Sequence, residues 1–248
     1  MLWQLSLNSF IGLTKFTKCM SEFYYTFFFG IYPYLCLSVF AIGTIIRYDR
    51  EQYSWRASSS QILADKGLKL GNVLFHIGVI FIFFGHLVGL LTPHALYEKF
   101  ISAEQKQLVA IIAGGIAGTI GFIGLTMLVF RRLFVERIRA TSTKSDIAIL
   151  LILWIQITLG LLTIPASLSH HDATVMINLS EWAQHILTFR ANASDYIVET
   201  DFIFHLHLIL GMTIFLLFPF TRLVHLLSAP VKYITRPYQV VRSKNGRR

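Results

Sequence analysis

Five long apolar stretches constrain most strongly what this chain of 248 residues can fold into. Each holds about twenty residues with few charges, enough α-helix to cross a hydrocarbon core of about 30 Å. The mean hydropathy is +0.60 and only 14% of residues are charged, against roughly a quarter in soluble domains. We therefore expect an all-α integral membrane protein with five transmembrane helices, here called spans one to five. They are predicted at Tyr24–Ile46, Leu70–Leu91, Leu108–Phe130, Ile147–Ile164 and Phe202–Leu227, with a bend at Pro219 in span five.

The spans leave no room for a second, soluble domain. Residues 20–242 are predicted to form one five-helix domain, followed by a short basic tail at 243–248. The preceding segment, 1–19, has no long apolar run and no small-residue cleavage site, so it does not resemble a signal peptide. Met20 stands just before span one, and translation is expected to begin either there or at Met1.

Lysine and arginine are distributed very unequally between the two sides of the predicted bundle. The loops joining spans one to two and three to four, together with the tail, carry 16 of them, whereas the opposite side carries 5; Arg222 lies within span five and is left out. Because cytoplasmic loops are enriched in these residues, we expect the amino terminus outside and the carboxyl terminus inside. Topology therefore explains the net charge of +9, and no nucleic-acid partner is expected.

Four of the nine histidines match one another in depth. Ionisable residues within a span are costly and usually functional, although a lone histidine can simply be hydrogen-bonded inside a helix bundle. Span two places His76 near the inner face and His86 near the outer face. Span five runs antiparallel to it, so depth pairs His86 with His205 or His207, and pairs His76 with His225.

Helical phase distinguishes the two candidates in span five. Eighteen residues, or five full turns, separate His207 from His225, whereas His205 points about 200° away. We therefore select His207 and expect His205 to face lipid headgroups or a neighbouring helix. His76 and His86 are about 80° apart on their helix, which is the weakest geometric link.

The paired histidines predict two haems. Two imidazoles fill both axial positions of a haem iron, an arrangement suited to electron transfer. With no Cys-x-x-Cys-His motif in the chain, we expect two non-covalent b-type haems between spans two and five, about 20 Å apart along the membrane normal. Hydrogen bonds from other groups should orient each imidazole, but the sequence does not identify these groups.

Two further features have simpler interpretations. Small residues recur at helical spacing in span three, and close helix packing is favoured there over room for a macrocycle edge; they are Gly114, Ala117, Gly118, Gly121 and Gly124. A short surface helix is predicted at Glu181–Arg190, with Trp182 at the membrane interface.

His94 is expected to be solvated, His170 and His171 with Asp172 are a poor metal site, and His185 has no partner at ligand spacing.

Several longer runs, in loops as well as in spans, can be matched to a known family. They are residues 30–34 (Gly-Ile-Tyr-Pro-Tyr), 47–50 with 52–56, 74–78, 85–86, 91–94, 160–165, 206–208, 218–220, 222–225 and 233–236. With these runs the chain strongly resembles the gamma subunit of respiratory membrane-bound nitrate reductase. The resemblance extends over about residues 22–242, and the family's own sequences begin near Met20.

The resemblance implies a di-haem cytochrome b that oxidises ubiquinol or menaquinol. It assigns His86 and His207 to the outer haem iron and His76 and His225 to the inner one. It also places quinol near the outer haem, beside Lys106 and Gly85. From spacing alone, Lys106 would be an ordinary membrane-flanking lysine, and Gly85 would only allow helix packing.

The resemblance further implies a place in a larger complex of the bacterial cytoplasmic (inner) membrane. Protons from quinol would leave on the outer side. Electrons would pass inward to an iron–sulfur beta subunit and then to a molybdenum catalytic alpha subunit on the cytoplasmic face. Alternatives are the cytochrome b of a formate dehydrogenase, hydrogenase or nitrite oxidoreductase, and a transporter whose histidines relay protons. The transporter alternative predicts acidic residues within the spans, and these are essentially absent.

Overall fold

The five apolar stretches form five helices that are long and apolar enough to cross a membrane. We label them α1 to α5 in a computed structural model that describes residues 20–51, 55, 67–169 and 172–227. Their bounds are Met20–Arg50, Leu68–Leu91, Ala103–Phe134, Lys144–Ser169 and Phe202–Leu217. All regular elements in these ranges are helical, so the prediction of an all-α fold with five candidate spans is confirmed. The predicted segments 1–19 and 243–248 lie outside the described residues.

The helices pack in an order that differs from their order in the chain. The helix α2 packs on α3, α3 on α4, α4 on α5, and α5 on α1. By contrast, the backbones of α2 and α5 make few direct contacts in the described ranges. In this packing order α3 and α4 therefore separate α2 from α5, the two helices that carry His76, His86 and His207.

Glycines allow α2 and α3 to cross at backbone contact. A Cβ on Gly78 of α2 would lie 2.7 Å from the Ala117 carbonyl oxygen of α3, and one on Gly124 of α3 would lie 2.8 Å from the Gly71 carbonyl oxygen. Real Cβ atoms do not approach so closely, so larger residues would separate the helices. The predicted packing role of the small residues is confirmed for Gly121 and Gly124, whereas Gly114 has open space where its Cβ would be.

A helix at one end of the bundle runs from Thr174 to Leu187, earlier and longer than the predicted 181–190. Trp182 is only 3% exposed, and its Nε1 donates to the Phe29 carbonyl oxygen over 2.9 Å. That carbonyl lies in a π-helical turn of α1, Thr26–Ile31. The prediction of an interfacial Trp182 is wrong, because the indole is buried and its N–H is satisfied inside the protein.

The helix α5 ends ten residues earlier than predicted. The chain continues through two 3₁₀ turns, Phe218–Phe220 and Arg222–Leu226, separated by Thr221 in extended conformation. Proline has no N–H to donate and its ring crowds the preceding turn, which favours an end or a kink of the α-helix at Pro219; α4, by contrast, continues through Pro165. The predicted bend at Pro219 is confirmed, but a single helix reaching Leu227 is wrong.

Candidate functional site

The structure brings the four selected histidines together as two pairs. The ring centroids of His86 and His207 are 6.1 Å apart, and those of His76 and His225 are 6.2 Å apart. These are the pairs predicted from depth, with helical phase selecting His207 over His205. They bridge α2 to α5 and to the turn that follows α5, where few backbone contacts join the two helices.

The separation of the rings suits two ligands on opposite sides of one metal ion. Imidazole nitrogens bind transition metals at about 2 Å, and the distance from that nitrogen to the ring centre adds about 1 Å on each side. Two imidazoles bound in this way therefore have centroids about 6 Å apart. Both pairs have this spacing.

Three of the four imidazoles are oriented by a backbone carbonyl of their own helix or turn. Nδ1 of His76 lies 2.8 Å from the Asn72 oxygen, and Nδ1 of His86 lies 2.8 Å from the Ile82 oxygen. Nδ1 of His225 makes a short contact with the Arg222 oxygen. A carbonyl oxygen can only accept a hydrogen bond, so Nδ1–H is the donor and the lone pair is left on Nε2. This is the tautomer that a metal-ligating histidine needs.

The fourth imidazole, His207, is held by α4. The Gln156 amide nitrogen donates to the His207 carbonyl oxygen over 3.1 Å and lies 3.2 Å from the ring Nδ1. Gly160, one turn further along α4, leaves space for the ring, since a Cβ there would lie 3.0 Å from Cε1 of His207. Sequence reasoning missed Gln156, although an amide in the middle of an apolar run is an indication of a buried polar contact.

Helical phase relates residue positions only within α5. It correctly separates His207 from His205, but His225 lies in the 3₁₀ turn beyond the end of the helix. The premise of one continuous helical face from His207 to His225 is therefore wrong. His225 reaches its partner because the chain turns after Leu217.

His205 belongs to neither pair and is held inside the protein by hydrogen bonds and aromatic contacts. It is 4% exposed, and its Nε2 lies 3.1 Å from both the Ile197 carbonyl oxygen and the Thr200 hydroxyl. Its ring packs against Tyr25 and Phe29 of α1. The expectation that it faces a neighbouring helix is confirmed, and the alternative of lipid headgroups is wrong.

Lys106 is buried near the start of α3. It is 8% exposed, and its Nζ lies 3.8 Å above the centre of the Tyr97 ring. Burial raises the pKa of the Tyr97 phenol, so this ring stays neutral beneath the ammonium. Within the described residues, Lys106 Nζ has no hydrogen-bond partner. A capping box formed by Ser102 and Gln105 fixes where this first helical turn begins.

Gly85 lies beside His86 on an exposed part of α2. A Cβ at this position would have no atom within 4 Å. The packing interpretation of Gly85 is therefore wrong, since no helix approaches it in the described part of the chain. No atom of Lys106 lies within 4 Å of a Cβ built on Gly85; Lys106 Nζ lies over the Tyr97 ring instead.

The remaining histidines belong to neither pair. His94 contacts Glu98 at 3.3 Å, and His185 contacts Glu181 at 3.7 Å. His170 and His171 lie outside the described residues. Among the residues that are described, no group of three or more His, Cys, Asp or Glu side chains is arranged to hold a metal ion.

The two pairs fit haem better than they fit a bare metal ion. Nδ1 donates to a backbone carbonyl in three of the four imidazoles, and within the described residues no carboxylate or thiolate completes a four-ligand site. A haem iron needs only two axial ligands from the protein. The open space at the Gly85 and Gly89 Cβ positions also leaves the surface of α2 beside His86 uncovered.

Comparisons with known proteins agree with one another. The family model described as "Nitrate reductase gamma subunit" matches residues 25–244. The respiratory nitrate reductase 2 and 1 gamma chains of Escherichia coli (strain K12) are each 53% identical to this chain, over 91% and 90% of it and 100% of each relative. The nitrate reductase gamma chain of Bacillus subtilis (strain 168) is 38% identical over 87% of this chain and 97% of that relative.

Proposed function

This chain belongs to the nitrate reductase gamma subunit family and is a membrane subunit of a nitrate reductase, and on that premise we propose that it is the subunit that oxidises quinol. The observation that carries the proposal is the pair of facing imidazoles at each of two levels, 6.1 and 6.2 Å apart. His86 and His207 would hold one b-type haem, and His76 and His225 the other. When bound, such haems supply one-electron transfer between the two faces of the membrane.

We infer the orientation of the bundle in the membrane from the distribution of charge. With 16 lysines and arginines on one side and 5 on the other, the His86 end of the bundle faces outward and the His76 end faces the cytoplasm. Membership of this family implies partner catalytic subunits. We place an iron–sulfur beta subunit and a molybdenum alpha subunit at the cytoplasmic, His76 end, in the inner membrane of a bacterium.

Lys106 is proposed as the hydrogen-bond donor to ubiquinol or menaquinol. Its ammonium is buried without an acceptor in the described residues, and it lies in the first turns of α3, where the helix dipole disfavours a cation. Buried charges are normally paired, so this site is unfavourable unless a ligand supplies an acceptor. A quinol oxygen that gains negative charge as its proton leaves is such an acceptor.

Gly85 is proposed to admit the quinol ring beside His86. The absence of a side chain there leaves the helix surface open. Oxidation of one quinol to quinone releases two protons and two electrons. The protons leave on the outer side and the electrons move inward, so both movements charge the membrane.

The Lys106 assignment is tested by Lys106→Ala in the assembled complex. Loss of a hydrogen bond to a charged group corresponds to about 1.5–3 kcal/mol, so we expect kcat/KM for a quinol analogue to fall by about 10- to 100-fold. Haem content should be unchanged. Nitrate reduction with a soluble dye that feeds the partner subunits directly should also be unchanged.

Lys99→Ala is the matched control, because Lys99 is an exposed lysine of the connection that precedes α3. It should leave quinol turnover unchanged. Equal turnover in the Lys106→Ala and Lys99→Ala variants, measured near the Michaelis constant for quinol, would exclude Lys106 from the site.

A further inference from the structure

The segment Phe218–Leu226, here called the His225 segment, is held by side chains of other helices. It consists of two 3₁₀ turns and one extended residue, so its own backbone supports it less well than an α-helix would. Arg47 of α1 donates from Nη1 to the carbonyl oxygens of Pro219 and Thr221, at 2.6 and 2.9 Å. This contact fixes the segment just before it reaches His225.

Asp146 of α4 fixes the next residues through Arg222. Nε and Nη2 of Arg222 lie 2.7 and 2.5 Å from the same Asp146 oxygen, Oδ1. The two side chains are only 16% and 22% exposed. Oδ2 faces Nη1 of Arg132 at 3.7 Å and accepts the Thr143 backbone N–H at 3.2 Å. Asp146 thus lies between two guanidinium groups, those of Arg222 and Arg132.

The same arginine orients the candidate ligand. The backbone carbonyl of Arg222 accepts the hydrogen bond from Nδ1–H of His225. A carboxylate of α4 therefore holds the residue whose carbonyl sets the tautomer and the direction of the imidazole. We propose that Asp146 is a positioning residue for His225, acting through Arg222. This inference rests on the proposed function, since it concerns how one of the two proposed haems is held.

Substitutions in this cluster can separate the effect of the charge near His225 from the effect of holding His225 in position. Removing the carboxylate leaves Arg132 and Arg222 facing each other without a counter-charge, which changes the electrostatic field near His225 as well as its support. Arg222→Lys keeps the charge but loses the two-nitrogen contact, because lysine has a single point donor. Thr143→Ala loses the hydrogen bond that the Thr143 hydroxyl accepts from the Asp146 backbone N–H over 3.2 Å, and it keeps the ion pair.

The test uses the whole complex in membranes and compares Asp146→Asn, Arg222→Lys and Thr143→Ala. The readout is the low-spin ferric signal of each haem in electron paramagnetic resonance. The imidazole planes meet at 66° in the His76–His225 pair and at 37° in the His86–His207 pair, so the two signals should differ. His76→Ala and His86→Ala assign them, and the haem of the other pair is the control within each molecule.

We expect Asp146→Asn and Arg222→Lys each to shift or broaden the signal of the His76–His225 haem and to weaken its retention by about tenfold. The other haem, and both haems of Thr143→Ala, should be unchanged. Equal changes at both haems would indicate general destabilisation and overturn the inference. So would unchanged signals in both variants, a change in Asp146→Asn alone, or an equal change in Thr143→Ala. Absence of haem from the unaltered chain would instead overturn the proposed function.

Discussion

At the scale of single residues, His205 and His207 show why an ionisable residue in a span is not by itself a site. They are two positions apart on α5. His205 is hydrogen-bonded to Ile197 and Thr200 and packed among aromatic rings. His207 faces His86 of another helix. Depth made them equal candidates, and the difference of about 200° in helical phase separated them.

The close approach of the His207 ring to Gly160 of α4 leads to a prediction for Gly160→Ala. The new methyl group would lie 3.0 Å from Cε1 of His207, so the ring must rotate or shift by a few tenths of an ångström. We expect a shifted ferric signal and about tenfold weaker retention of the His86–His207 haem, with the other haem unchanged. Quantitative haem analysis and paramagnetic resonance of the purified complex measure both effects.

Gly115→Ala is the control for this substitution. A Cβ there would make an ordinary contact of 3.5 Å with Ile164, so it adds the same methyl group elsewhere in the bundle. If Gly160→Ala and Gly115→Ala gave the same spectra, the contact with Gly160 would not constrain the orientation of the His207 imidazole.

Features of single residues that follow from their position along one helix could be predicted, whereas contacts between positions far apart in the chain could not. Depth in the membrane follows from the rise of a helix, so the two histidine pairs were predictable from the order of residues. The contact of Gln156 with His207 was not, because it joins residues 51 positions apart. An amide in an apolar run indicates that a partner exists and does not indicate which one.

At the scale of elements, the α2–α3 crossing leads to a prediction for Gly78→Ala. The added Cβ would overlap backbone atoms of Gly121 and Ala117, and backbone cannot move aside as a flexible side chain can. We expect destabilisation of about 1–3 kcal/mol or more. It should appear as a lower midpoint for thermal loss of helical circular dichroism in detergent.

Gly89→Ala on the same helix is the comparison, since its Cβ would have no atom within 4 Å. Its midpoint should match that of the unaltered protein. Similar losses in the two variants would mean that glycine itself, rather than the crossing, determines stability on α2.

The elements also show where sequence reasoning stopped. The five helices follow from hydropathy, and Pro219 correctly indicated a bend. The conformation after the bend depends on Arg47 and on the Asp146–Arg222 ion pair, contacts over 172 to 174 and 76 positions in the chain. Such long-range contacts carry no periodic pattern, so the helix was predicted to continue to Leu227.

At the scale of the whole molecule, the packing order explains how one bundle presents two histidine pairs. The helices α2 and α5 are joined through α3 and α4 rather than by direct packing. The α2–α3 crossing is fixed by glycines, and α4 supports both His207 and the His225 segment through Gln156 and Asp146. The imidazoles of α2 therefore face those of α5 and the His225 segment across a line where few backbone contacts join the two helices.

Each histidine pair is proposed to hold one haem, and haem quantification is the first experiment to make. The purified chain should contain two non-covalent b-type haems, measured by extraction and by the reduced-minus-oxidised spectrum. His86→Ala should lose one haem, and His76→Ala should lose the other. A folded protein that binds no haem, or variants that lose both haems or neither, would rule out the assignment of one haem to each histidine pair.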